Sequence, residues 1–128
     1  MFDVNTSVGK KSFEDDTFTM LPLRWVVELS GEDLKRMILL RWRFSFFAEF
    51  ASRQGEPVAM CFYESQVALC ELFQMSSTSQ AKVSAFLKKM EAGGYISIQR
   101  DKVIINGKSK PRHYIVINDP ILKEKYNY

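Results

Sequence analysis

The dipeptide Asn106-Gly107 lies between two runs that are rich in isoleucine, valine and charged residues. A two-residue type I′ turn needs positive φ at both central positions, and Asn-Gly adopts this conformation readily. A turn here gives the pairs Ile96–Ile117, Ile98–Ile115 and Asp101–Arg112. Because apolar residues then face apolar residues and an acid faces a base, the sequence predicts a long antiparallel hairpin in this register.

Basic residues are concentrated in the stretch that contains this hairpin. Residues 78–112 hold eight Lys or Arg against two Asp or Glu, whereas the whole chain of 128 residues has a net charge of +3. Four of the basic residues, Lys102, Lys108, Lys110 and Arg112, lie towards the turn. A hairpin kept soluble by charge explains this pattern, and so does a basic finger that contacts phosphates. The charge distribution alone leaves both interpretations open.

Helix-start signals precede the hairpin. Ser30, followed by two acids, predicts a first helix over about residues 31–52, and Arg53-Gln54-Gly55 is a typical helix end. Residues 57–63 read as a short extended stretch. Glu64 and Ser65 then lead a second, short helix that ends near Phe73.

A third helix is predicted between a polar turn at residues 74–78 and the Gly93-Gly94 pair. Either Ser79 or Ser76 caps its start, and it extends to Ala92. Its apolar stripe consists of Val83, Phe86, Leu87 and Met90. The rest of the helix surface is polar at its start and basic at its end, so one face is free for recognition.

The first helix carries a second apolar stripe on nearly the opposite side from its core stripe. Its members are Leu39, Trp42, Phe46 and Phe50. The segment 25–27, or the carboxy-terminal Ile121, Leu122 and Tyr126, would cover this stripe within one chain. A second copy of the chain would cover it equally well, which predicts a homodimer, and the sequence does not choose between the two.

Several other classes of protein are disfavoured. Cys61, Cys70 and His113 are too few for a structural metal site or a disulfide framework. The chain has no motif for a catalytic triad, a phosphate-binding loop or a metalloprotease, so we expect no enzyme activity and no small-molecule cofactor. Its apolar runs are far shorter than a membrane span, and its start does not resemble a secretory signal. We therefore expect a cytoplasmic protein, and one associated with the nucleoid if the basic finger contacts phosphates.

The order helix, short strand, helix, turn, helix, hairpin is that of a winged helix-turn-helix, an α+β fold with a three-helix core and a β-hairpin wing. The segment Ser65-Gln66 to Met75-Ser76, together with VSAFLKKMEAGGYI at residues 83–96, resembles such domains in bacterial regulators and in phage and plasmid replication proteins. Residues 18–22 resemble the entry strand of the replication-initiator branch. The implied organisation is a flexible arm at residues 1–17, the domain at 18–119 and a tail at 120–128.

The resemblance implies a set of DNA-contacting residues. Its major-groove members are Ser77, Thr78, Ser79, Gln80, Lys82 and Ser84, its backbone contacts are Lys88 and Lys89, and its wing contacts are Lys102, Lys108, Lys110 and Arg112. Gln80 would pair with adenine, and Lys82 would reach guanine or a phosphate. The connection before Val83 is a few residues longer than the usual pattern, so either the turn is longer or the third helix starts earlier.

These observations predict site-specific binding of double-stranded DNA by a bacterial, phage or plasmid protein. The expected role is in replication, in transfer or partition, or in transcription control, with binding as a dimer. The alternative is a winged helix that contacts proteins and does not bind DNA, since a fold does not determine a function.

Overall fold

The computed structural model describes residues 20–128, together with the backbone of two short paired strands, β1 (Val4–Asn5) and β2 (Val8–Gly9). The predicted flexible arm at residues 1–17, and the first two residues of the predicted entry strand, lie largely outside the described residues. From residue 20 onwards the elements are α1 (Leu23–Glu28), α2 (Gly31–Gln54), α3 (Gln66–Leu72), α4 (Gln80–Ala92), β3 (Ile96–Ile105), β4 (Lys108–Ile117) and α5 (Pro120–Tyr126). The described part of the chain is therefore α+β, as predicted.

Local signals set the helix boundaries. Ser30 Oγ accepts a hydrogen bond from the Asp33 N–H at the start of α2, and Ser65 Oγ does the same for Ala68 at the start of α3. Gly55 ends α2 with a left-handed φ of 71°, a conformation that glycine adopts without a steric penalty. These three predicted boundaries are confirmed, although α2 continues two residues beyond the predicted end.

The hairpin has the predicted register. Asn106 and Gly107 have φ values of 53° and 77°, as a type I′ turn requires. The observed pairs include Ile96–Ile117, Ile98–Ile115 and Asp101–Arg112. Only the half of the hairpin next to α4 reaches the core, because burial is confined to Ile96 on β3 and to residues 115–117 on β4. The outer half extends away from the helices.

The core forms where the apolar stripes of α2, α3 and α4 meet the inner half of the hairpin. All four residues of the predicted α4 stripe, Val83, Phe86, Leu87 and Met90, are buried. The Phe86 ring packs edge-on against Phe73 of the preceding turn, with centroids 5.4 Å apart. Trp25 of α1 is also buried and anchors that short helix.

One predicted strand is wrong, the described part of another is irregular, and a proline stands at each place. Residues 57–63 contain a one-turn 3-10 helix, Val58–Met60, which begins after Pro57. Pro22, with φ of −65°, directly precedes α1, and residues 20–22 of the predicted entry strand are irregular. Proline holds φ near the helical value and lacks an N–H for a ladder, so both positions favour a helical turn.

The predicted tail at residues 120–128 belongs to the packed structure. Asp119 is fully buried, forms an ion pair with Arg41 of α2 and accepts a hydrogen bond from the Ile121 N–H. Leu122 lies in the core. The Tyr128 hydroxyl donates to the Ile117 carbonyl oxygen at 2.7 Å. The predicted boundary at residue 119 therefore does not mark the end of the packed domain.

The second stripe of α2 is covered unevenly. Leu39 and Trp42 are partly buried and pack against the core, whereas Phe46 and Phe50 are exposed. Beside this stripe, the Tyr126 hydroxyl of α5 donates to Glu49 at 2.8 Å. The described part of the chain also contains no helix with an apolar stretch long enough to cross a bilayer.

Candidate nucleic-acid interface

The turn between α3 and α4 is held by the backbone and by one serine. Gln74 has a left-handed φ of 61°, and the Met75 N–H donates to the Cys70 carbonyl oxygen at 2.8 Å. The Met75 side chain packs against the core. Ser76 Oγ accepts from the Thr78 N–H at 3.3 Å and starts a 3-10 turn that leads directly into α4. This additional turn accounts for the long connection.

Small polar side chains occupy the leading end of α4. Ser77 and Thr78 are exposed, whereas Ser79 is partly buried and its hydroxyl caps none of the described amides. Gln80 is exposed, and its Nε2 donates to the Ser77 carbonyl oxygen at 3.3 Å. Ser84 follows one turn later on the same side of the helix and is partly buried. The structure thus brings the predicted base-contacting hydroxyls and amide to one end of α4.

The three lysines of α4 differ in their surroundings. Lys89 Nζ lies 2.7 Å from Asp33 Oδ2 at the start of α2, so this lysine connects two helices. Lys82 lies on the same flank seven residues earlier, and Lys88 is on the outward face. Both are exposed. A phosphate contact by Lys89 would compete with Asp33, whereas the other two lysines face no such competition.

An ion pair connects the end of α4 to the hairpin. The Arg100 guanidinium donates to both oxygens of Glu91, at 3.0 and 3.1 Å. These hydrogen bonds hold the pKa of the Glu91 carboxyl below its ordinary value and raise that of Arg100. The two-point geometry restricts the rotation of β3 relative to α4.

Lys102 lies on the face of the hairpin that packs against the helices. Successive side chains of a strand point to opposite faces, so Lys102 shares its face with Ile98 and Arg100. Its register partner is Pro111. On the inner half, Ile98 packs against the core and Arg100 reaches α4. Of the four predicted wing residues, Lys102 is therefore the one on the helix-facing side of the hairpin, one position beyond Arg100 on that side.

Lys108, Lys110 and Arg112 lie on the other face. Arg112 is partly buried, with its guanidinium carbon 4.6 Å from the centroid of the Tyr63 ring. Tyr63 also packs against Tyr114, with centroids 6.3 Å apart. The hairpin therefore distributes its cations over both faces, and Arg112 stands midway along the ribbon, farther from the turn than Lys108 and Lys110.

Five exposed lysines of α4 and the hairpin have no ionic partner. Within residues 20–128 no carboxylate lies within 4.0 Å of Lys82, Lys88, Lys102, Lys108 or Lys110. Asp101 precedes Lys102 in the sequence, but its carboxylate accepts a hydrogen bond from the Lys102 backbone N–H, at 2.7 Å, and does not pair with the lysine side chain. We refer to these five residues as the unpaired lysines.

Sequence reasoning missed three features of this region. It did not single out the contact of Tyr63 with Arg112, because the two residues are far apart in the chain. It noted Arg100 and Glu91 only as charges and did not pair them. It also passed over Ile104 and Ile105, which are exposed next to the turn. The sequence does contain a signal for them. In the predicted register Ile104 and Ile105 face Ser109 and Lys108, whereas Ile96 and Ile98 face other isoleucines.

The described residues provide little for a metal or for reactive thiol chemistry. No three His, Cys, Asp or Glu side chains in the part of the chain from residue 20 onwards are grouped closely enough to hold a metal ion. Cys61 and Cys70 are free thiols. Partial burial raises the pKa of Cys61 to about 11, so it remains protonated at neutral pH.

A cavity of about 220 Å³ lies between the start of α3 and the helix-facing side of the hairpin. Its lining includes Gln66, Leu87 and His113. The Gln66 Oε1 atom is buried, and no hydrogen-bond donor among the described residues reaches it. The cavity is open to solvent beside the hairpin.

No family model, no curated protein and no solved structure matches the chain. The function proposed below therefore depends on the geometry and charge of the residues themselves.

Proposed function

We propose that the chain is a winged helix-turn-helix protein that binds double-stranded DNA at specific sites. In this proposal α3 and α4 form the helix-turn-helix pair, and the β3–β4 hairpin is the wing. The order of elements supports it, since two short helices joined by a polar turn are followed at once by a hairpin. The exposed polar end of α4 has dimensions suited to a major groove about 12 Å wide.

The observation that carries the proposal is the distribution of unpaired cations. Every arginine of α1 and α2 is in an ion pair with a carboxylate, as the partners Arg24–Glu28, Arg36–Glu32, Arg41–Asp119, Arg43–Glu64 and Arg53–Glu49 show. Of the nine lysines among residues 20–128, only Lys89 has a carboxylate of the same range within 4.0 Å. Five of the other eight are the unpaired lysines of α4 and the hairpin, and the remaining three, Lys35, Lys123 and Lys125, lie on α2 and α5. A lysine without a carboxylate partner neutralises a phosphate without first breaking an ion pair, and the released counterions favour binding.

Within this proposal the residues have three roles. Gln80, Lys82 and Ser84 read bases, while the hydroxyls of Ser77, Thr78 and Ser79 bind at the leading end of α4. Lys88, with Lys89, contacts the backbone beside the groove. The wing contacts come from Lys102, Lys108, Lys110 and Arg112, with Arg112 nearest to the body of the protein. The site has no catalytic role.

The proposed setting is a bacterium, phage or plasmid, where the protein acts in replication, in transfer or partition, or in transcription control.

The proposal includes DNA binding as a homodimer that forms through the second stripe of α2. Exposed Phe46 and Phe50 support the dimer, because two neighbouring aromatic rings on one helix face are costly to leave in water. Light scattering of the double variant Phe46→Ser, Phe50→Ser should report a monomer where the parent protein is a dimer; equal masses would remove the dimer from the proposal.

The salt dependence of binding tests the DNA proposal. Fluorescence anisotropy with labelled duplexes should give a straight line of log affinity against log salt concentration, with a slope that counts phosphate contacts. The double variant Lys108→Ala, Lys110→Ala should lower the magnitude of that slope by about 2. The matched control is Lys35→Ala, Lys125→Ala, which removes two exposed lysines outside α4 and the hairpin.

The control variant should bind like the parent protein. Equal slopes for the two double variants, or no binding of any duplex at low salt, would reject the proposal. Binding of a protein partner that does not respond to salt would instead favour the alternative, in which the exposed apolar surface docks on another protein.

A further inference from the structure

The end of the hairpin combines exposed apolar side chains with lysines. Ile104 is 78% exposed, the highest value among the large hydrophobic residues that the structure describes, and Ile105 is 41% exposed. Both lie directly before the Asn106-Gly107 turn. Between Asp101 and Asp119 the sequence has no acidic residue. We refer to residues 102–110 as the hairpin tip.

The register explains why Ile104 is the most exposed apolar residue of the tip. Val103 faces Lys110 and Ile105 faces Lys108, so the aliphatic stems of these lysines lie beside the two apolar side chains. Ile104 faces Ser109, whose side chain is too short to cover it. Ile104 therefore projects from the side of the hairpin that also carries Lys102.

The chemistry of the tip selects its partner. A partner must supply negative charge for Lys102, Lys108 and Lys110, and close to that charge an apolar surface for Ile104. A DNA duplex has both, because phosphates line each groove and the stacked bases between them are apolar once they are separated. Isoleucine is among the side chains that enter base steps as wedges.

The dimensions agree with this partner. At about 3.3 Å per residue, Ile104 stands roughly 13 Å beyond Arg100, where the hairpin leaves α4. If α4 lies in a major groove, the next minor groove is about half a helical turn away, roughly 17 Å. The wing and the side chain of Ile104 together span this distance. A two-stranded ribbon is wider than a relaxed minor groove of about 6 Å, so entry must widen the groove.

On this geometry, and resting on the proposed DNA binding, we propose that the hairpin tip inserts Ile104 between base pairs from the minor groove and bends the duplex. The lysines of the tip hold the flanking phosphates. Pyrimidine–purine steps unstack at the lowest cost, so the insertion favours a TA or CA step at one position of the bound site. The protein then recognises deformability at that position as well as the bases that α4 contacts.

The test measures bending separately from binding. The probe is a duplex of about 30 base pairs with a central TA step, end-labelled for energy transfer and carrying 2-aminopurine at the step. The parent protein should shorten the end-to-end distance and increase the 2-aminopurine fluorescence. Ile104→Ser should abolish both signals and lower the affinity about tenfold, while leaving the salt slope unchanged. Ile104→Leu, which keeps an apolar wedge, should restore both signals.

The matched control is Val27→Ser, which removes an apolar side chain of nearly the same exposure, 76%, from α1. It should bend DNA like the parent protein. If the parent binds DNA with the expected salt slope but does not bend it, or if Ile104→Ser bends it equally, the wedge is rejected and the proposed function stands. If the parent binds no duplex, both are rejected.

Discussion

The Glu91 carboxylate at the end of α4 accepts two hydrogen bonds from the Arg100 guanidinium on β3, at 3.0 and 3.1 Å. This pair joins α4 to the hairpin, the two elements that carry five of the eight described lysines without an ionic partner. It lies at the point where the hairpin leaves the core, since residues beyond Arg100 on β3 are mostly exposed. This ion pair therefore adds a side-chain contact between the proposed wing and the proposed recognition helix to the packing of the inner half of the hairpin against the core.

We expect Glu91→Gln to weaken DNA binding without unfolding the protein. A neutral amide accepts from Arg100 through only one oxygen and loses the charge that strengthens both bonds, so the hairpin becomes freer to move. Hydrogen exchange at residues 98–102 should become faster, and the affinity for DNA should fall. Glu32→Gln is the control, because it removes a carboxylate paired with Arg36 on α2, away from the hairpin. Unchanged exchange in Glu91→Gln would show that the ion pair does not restrain the hairpin.

The same pair predicts a response to acid. The Arg100 hydrogen bonds lower the pKa of Glu91 from its ordinary value of 4.5. Because the folded-state pKa is lower than the unfolded one, the stabilisation is complete above about pH 4.5 and disappears as the pH falls through the folded value. A carboxyl NMR titration should place the Glu91 midpoint below 4.5 in the parent protein and closer to 4.5 in Arg100→Ala. Equal midpoints in the two proteins would contradict the assignment of the shift to Arg100.

Gln80→Ala and Lys110→Ala should affect DNA binding in different ways. Loss of a base contact by Gln80 should reduce discrimination at one base position by about 1–3 kcal/mol. Loss of Lys110 should lower the affinity for all sequences, because a phosphate carries no sequence information. Selection of bound fragments from a random duplex pool, repeated with each variant, measures both effects. Parallel losses on specific and random DNA in both variants would refute this division of roles.

Phe86→Ala should destabilise the fold by about 3–5 kcal/mol. Phe86 is buried, packs edge-on against Phe73 and lies beneath the Arg36 guanidinium. Truncation leaves a cavity between α4 and the turn that precedes it, and urea denaturation should record the loss. Lys88→Ala, on the outward face of α4, is the control and should unfold at nearly the parent urea concentration. A parent-like midpoint for Phe86→Ala would mean that the faces of α4 are wrongly assigned.

Asp119→Ala should also be strongly destabilising, by about 3–5 kcal/mol, because it leaves Arg41 buried without its carboxylate and removes the cap of α5. Thermal unfolding measures this effect, with Glu124→Ala on the exposed side of α5 as the control.

A protein truncated after residue 119 should be destabilised as well, since the truncation removes buried Leu122. Parent-like melting of both proteins would restore the view that residues 120–128 are a dispensable tail.

Features that depend on neighbouring residues were predictable from the sequence. Ser30, Ser65 and Gly55 bound their helices as expected, because a cap acts on amides within one turn. The register of the hairpin followed from Asn106-Gly107 alone, since a two-residue turn leaves one pairing for the two strands. The buried stripe of α4 followed from helical spacing. In each case the deciding interaction spans only a few residues, or a pairing that one turn imposes.

Features that depend on distant residues required the tertiary structure. The ion pair between Arg41 and Asp119 joins residues 78 positions apart and turns a predicted tail into part of the core. The contact of Arg112 with Tyr63 holds one predicted wing cation midway along the hairpin, and Asp33 forms an ion pair with Lys89. The residues with the right charge and spacing were visible in the sequence, but which cations remain unpaired was not. Pairing depends on where separate elements meet, and neither periodicity nor composition specifies that position.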